Sequence, residues 1–122
     1  MALGIITLIL GFKTVDEKTV QQPQFEWKQV TAIESVVSGG MGRSRMISTN
    51  DKGEMNEEKL QNFFSMTGIN FGNVRENDLK ITDMISKHSA EGWILHDVTS
   101  GVYAADKSTG IFITRYMFKR GK

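Results

Sequence analysis

Cysteine is absent from the chain, so disulfide bridges, thiolate metal sites and cysteine nucleophiles are excluded at the outset. Its absence leaves the cellular compartment open and makes the hydrophobic core the sole support of the fold. Neither sign of charge dominates: 15 basic side chains face 14 acidic ones, for a net charge of +1. That balance removes the basic field on which non-specific binding to nucleic acid or membrane surfaces depends. Proline occurs once, at Pro23. The longest apolar run, Ala2 to Phe12, is far short of the roughly 20 residues that span a bilayer.

What is present fits one globular domain. At 122 residues the chain is too short to split into several cores. Its hydrophobic fraction of 39% is enough for a modest interior, so disorder is not expected. Residues 1–24 separate as an apolar segment followed by a polar linker, and residues 25–122 read as a single α+β domain. The apolar segment has the length of a secretory core region, but it has neither a basic start nor an Ala-x-Ala-like cleavage site. A remnant of an export signal, a buried first strand and an element exchanged between subunits are all compatible with it. The first points to a periplasmic or secreted protein, with the cytoplasm as the alternative.

Residues 25–37 are rich in aromatic and β-branched types and predict a strand, with Trp27, Ile33 and Val37 on one face and Val30, Ala32 and Val36 on the other. A second strand is expected over 43–49, after the glycine-rich break at 38–42. Asn56 stands as an N-cap before Glu57 and Glu58. With Leu60, Phe63 and Phe64 at i, i+3, i+4 it predicts a short helix over about 56–66. Residues 67–77 read as an irregular connection. Asn77 or Asp78 then caps a main helix over about 78–91, with Leu79, Ile81, Met84, Ile85 and His88 along one side. Gly92 ends that helix in a left-handed conformation and Trp93 starts a strand over 93–99. A long hairpin loop, 100–110, leads to the last strand, 111–119. The expected architecture is a mainly antiparallel four-stranded sheet with the main helix on one face and the short helix beside it.

Trp27-Lys28, Ala90-Glu91-Gly92-Trp93-Ile94-Leu95 and Phe118-Lys119-Arg120 together resemble a family of small bacterial proteins of unknown function. That family reads W-x-Y-K-V-V, then a helix with L-N-x-x-G-x-E-G-W-E-L-V, then a strand ending F-K-R. The resemblance covers about residues 25–34 and 79–120. It departs at Ile85-Ser86, Ser89 and Ile94, and residues 38–77 have no counterpart. It implies a strand–helix–strand–strand core and no activity.

Four constellations have chemistry in them. Gly40 and Gly42 beside Arg43 and Arg45 are able to cradle an anion through backbone N–H groups and guanidinium forks, although the segment opens a strand and not a helix. His88, Glu91, His96 and Asp97 have metal-ligating types, but no His-x-x-x-His pair. A boundary histidine and a surface histidine account for them, and no metal is expected. The aromatic and basic alternation of 110–120 lacks the opening of an RNA-stacking strand. Finally, Phe63 to Gly72, with Asn70 and Phe71, is either a binding loop or a lid over the sheet. No Gly-x-Ser-x-Gly motif is present, and the acidic pairs Asp16-Glu17 and Glu57-Glu58 are adjacent residues that diverge on a helix. The sequence therefore predicts a non-catalytic binding or assembly module without a cofactor, its partner a protein or a second copy. A small-molecule or anion binder using the Gly39–Arg45 loop is the alternative, and an enzyme of unknown class comes third.

Overall fold

The computed structural model of the protein describes residues 24–37, 42–65, 68–104, 106 and 109–122. The apolar N-terminal segment, its linker up to Pro23 and Gly40 of the anion loop lie outside these residues. The chain order is β1 (Phe25–Val37), β2 (Arg45–Asn50), β3 (Met55–Lys59), β4 (Phe64–Ser65), β5 (Gly68–Ile69), α1 (Phe71–Ala90), β6 (Ile94–Ala104) and β7 (Thr109–Gly121). Five strands form one antiparallel sheet in the order β3-β2-β1-β7-β6, and β4 pairs with β5 in a separate two-stranded ribbon.

The strand β1 spans the predicted residues and forms the centre of the sheet. It pairs along its whole length with β7, from Phe25 opposite Gly121 to Val37 opposite Thr109. Antiparallel partners share a face, so the even-numbered residues of β1 set the inner face. There Val30, Ala32, Met46 and Phe118 meet Ile81 and Met84 of the helix, with Leu60 and Trp93 completing the core.

Three expectations are corrected. The sheet has five strands, not four, because the predicted short helix over 56–66 does not form. Met55–Lys59 is a strand, paired residue by residue with β2 from Arg45 opposite Lys59 to Thr49 opposite Met55. Beyond it, the backbone donors that a helix would use internally are taken by other segments. Leu60 N donates to Ser44 O at 3.0 Å and Phe63 N to Ser35 O at 2.9 Å. Leu60, the first member of the helical triplet, is buried in the core all the same.

The main helix starts seven residues early, at Phe71, within the stretch expected to be irregular. Its cap is Asn70, whose side chain accepts from Asn73 N at 3.1 Å. Asn77, expected to cap the helix, lies inside it and is fully buried. Leu79 points to solvent with 63% exposure, since it is about 200° around the helix from Asn77. Gly92 does end the helix, at φ +90°, and Trp93 is buried as expected. Arg120 stacks over the Trp93 ring at 4.2 Å and pairs with Glu26, which closes this end of the inner face. The strand β6 runs on to Ala104, so the hairpin to β7 is shorter than predicted.

Candidate functional site

The described part of the anion loop, from Gly42 to Arg45, is a packed corner of the fold. Gly42 sits where an added Cβ would lie 2.0 Å from Ser35 Oγ and 2.5 Å from Asn62 Oδ1. No other residue fits without displacing buried atoms, so packing accounts for this glycine. The neighbouring hydroxyls are mutually satisfied. Ser35 and Ser44 oxygens are 2.7 Å apart, Ser44 Oγ accepts from Ser35 N at 2.8 Å, and Ser35 Oγ donates to Asn62 Oδ1 at 3.0 Å. Of the two arginines, Arg45 is ion-paired with Glu57 across the β2–β3 ladder and donates from Nε to Arg43 O at 3.3 Å. Arg43 is exposed and, with Lys59, borders a shallow hollow of about 490 Å³. One of the two guanidinium groups is thus already committed to a carboxylate.

The other loop candidates divide in the same way. Asn70 is a helix cap, while Phe71, the first residue of the helix, is 77% exposed and forms no part of a pocket with Arg43 or Arg45. Phe63, expected in either a binding loop or a lid over the sheet, meets the Phe112 ring at 5.8 Å. His88 and His96 do not converge. His88 is on the inner side, stacked on Phe118 at 4.6 Å, and its Nδ1 lies 2.7 Å from Met84 O. His96, in the bulge between Leu95 and Asp97, meets Trp27 edge-on at 5.1 Å on the outer face. Among the described residues no group of three metal-ligating side chains comes together.

A buried polar layer links the helix to β1. Asn77 Oδ1 accepts from Gln61 N at 2.7 Å, while its Nδ2 donates to Gln61 O at 2.9 Å and to Glu34 Oε2 at 3.1 Å. Burial pushes the Glu34 carboxyl above its ordinary 4.5. The Asn77 amide pulls it back, and the charge of Asp78 adds to the rise. The Tyr116 phenol is raised above 10.0 by its own burial and by the charges of Glu34 and Asp78. A raised carboxyl means that the folded state holds the proton more tightly than the unfolded chain. Its stabilisation is therefore complete below pH 4.5 and is lost as pH rises through the folded-state value. Glu34→Gln keeps an acceptor for Asn77 and has no charge to bury. The urea midpoint of the variant is expected to gain on that of the unmodified protein between about pH 4 and about pH 7. A constant gap across that range would show that Glu34 ionises without hindrance.

Two surfaces remain. Between α1 and the β2–β3 half of the sheet is an open cleft of about 460 Å³, floored by Val30, Met46 and Met84. Four of the charges on its rim are paired with one another, Lys87 with Asp83 at 3.0 Å and Lys80 with Glu58 at 4.0 Å. The second surface is the outer face of the sheet. Trp27 is 43% exposed there, and Phe25, Met117, Ile94 and Tyr103 share the face with it. The single helix among the described residues lies on the opposite face. The sequence marks Trp27 as one face of the first strand and as part of the family pattern, not as a binding residue, and does not mark Met117; apolar residues on both faces of 25–37 and 111–119 were the available sign.

No protein-family model matches the chain, and no curated protein matches it in sequence. Among the described residues no helix is long and apolar enough to cross a membrane.

Proposed function

We propose that the protein is a non-catalytic binding module that holds a partner protein on the outer face of its sheet. The observation behind this is the row of aromatic and apolar side chains on that face, Phe25, Trp27 and Met117, which are partly exposed and, among the described residues, have no helix over them. A sheet with one face covered normally turns polar residues outward on the other, and an apolar patch there marks a contact surface. Lys119 lies over the Phe25 ring at 4.8 Å and Arg115 is exposed nearby, which favours a partner whose apolar surface is flanked by carboxylates. The apolar run Ala2 to Phe12 favours a bacterial envelope as the place of work, and N-terminal sequencing of the mature protein from its host decides this.

A photo-crosslinker at Gln29, on the outer face, is expected to give adducts with another protein in the host, and one at Asp83 on the helix is not. Trp27→Ala combined with Met117→Ala should abolish them. Adducts that persist in the double variant, or that come equally from Asp83, would overturn the assignment.

The second reading is anion binding at the hollow bordered by Arg43 and Lys59, favoured by the exposure of Arg43. It predicts a thermal shift with phosphate that Arg43→Ala/Arg45→Ala removes.

A further inference from the structure

The two edges of the sheet are built differently. At one edge, β3 has 5 residues and presents Glu57, Glu58 and Lys59. Shortness and charge are the ordinary means of keeping an edge from pairing with another chain. At the other edge, β6 has 11 residues, all exposed, and Asp97 is its single formally charged side chain apart from His96. Among the described residues its one ladder is to β7, and the backbone N–H and C=O groups on its far side have no strand partner there. The bulge at His96 falls near its start, leaving Asp97 to Ala104 in unbroken register with β7. Apolar side chains line this edge on the helix side too: Leu95, Val98 and Val102 are exposed beside partly buried Tyr116.

We infer that β6 is the interface with a second copy of this chain, joined antiparallel about a two-fold axis so that the two sheets become one. An axis perpendicular to the sheet makes each residue face one of equal parity. A register centred on Ser100 then places Val98 opposite the partner subunit's Val102, extending the apolar strip across the axis. The same register sets Asp97 against the partner subunit's Tyr103, so no like charges meet, whereas a parallel, in-register pair would align the two aspartates. An unrelated extended peptide would find the same backbone groups, but not this self-complementary sequence. The inference gives the assembly reading a named partner and a different surface from the outer face.

Light scattering on the full chain is expected to give twice the 13.7 kDa chain mass. Val98→Lys/Val102→Lys should return it to the single-chain mass with an unchanged circular-dichroism spectrum, while Met55→Lys at the guarded edge leaves the dimer intact. Because the protein has no cysteine, Ser100→Cys supplies a second readout that does not depend on the lysine variants folding. Facing Cα atoms in such a ladder are about 4.5–5.5 Å apart, within disulfide range, so mild oxidation should link the dimer through this position. A single-chain mass for the unmodified protein, a dimer that survives both lysines, or Ser100→Cys that stays monomeric under oxidation would each overturn the inference, the second pointing to another contact surface. Crosslinking from Gln29 is expected to survive the β6 variants, and dimerisation to survive Trp27→Ala, so the two assignments fail separately.

Discussion

Asn77→Ala is expected to lower the stability of the fold by about 3–5 kcal/mol, far more than the loss of one side-chain hydrogen bond in a helix. The residue is 0% exposed and makes three hydrogen bonds, two to the backbone of Gln61 and one to the carboxylate of Glu34. Truncation removes all three at once and leaves the Gln61 N–H and C=O without that partner. Each buried polar group left unpaired costs about 1–3 kcal/mol, and Glu34 loses the donor that lowers its pKa. Asn77→Asp is the sharper experiment. It keeps the acceptor for Gln61 N but turns the donor into a second acidic group facing Glu34 and Gln61 O. Near neutral pH it should destabilise at least as much as alanine. Below about pH 4, with the carboxyls protonated and able to donate, a large part of the loss should return. Urea unfolding of both variants at the two pH values checks this, and equal losses for Asn77→Asp at both would show that the layer does not act through Glu34.

The same residue shows why the sequence reveals some of the fold and hides the rest. Strand β1 was legible because aromatic and β-branched residues persist over its 13 positions, and Gly92-Trp93 because a left-handed glycine is a strong local requirement. The start of α1 was not. Its first turn, Phe71-Gly72-Asn73, consists of weak helix formers, so the better local cap at Asn77 or Asp78 was preferred. What overrides propensity is tertiary: Asn77 is drawn inside by Gln61 and Glu34, residues remote in the chain. Leu60, Phe63 and Phe64 have a helical spacing for an unrelated reason, since the segment runs beside the end of β1 and gives its donors to Ser44 and Ser35. Gly42 was recognisable as a special residue but not as a packed one, because Ser35 and Asn62 approach it only in the folded chain. The exposed edge at β6 was equally hidden, as edge and central strands show the same alternation.

Phe118→Ala is expected to cost about 3–5 kcal/mol, a large part of the stability of a domain of this size. The side chain is 1% exposed and is among the largest fully buried ones. It sits on the inner face towards the C-terminal end of β7, opposite Lys28 of β1 and Leu95 of β6, with the His88 ring stacked on it. Removing the ring deletes its transfer free energy and opens a cavity that β1 and β7, paired along their whole length, cannot close by moving together. The His88 imidazole, tied to Met84 O, cannot swing in to fill it without giving up that bond. Phe118→Leu keeps most of the volume and should cost about 1 kcal/mol. Denaturant unfolding of the two variants separates the contributions. A loss near 1 kcal/mol for alanine as well would mean that the helix settles onto the sheet, and that the core is looser around His88 than the stacking geometry implies.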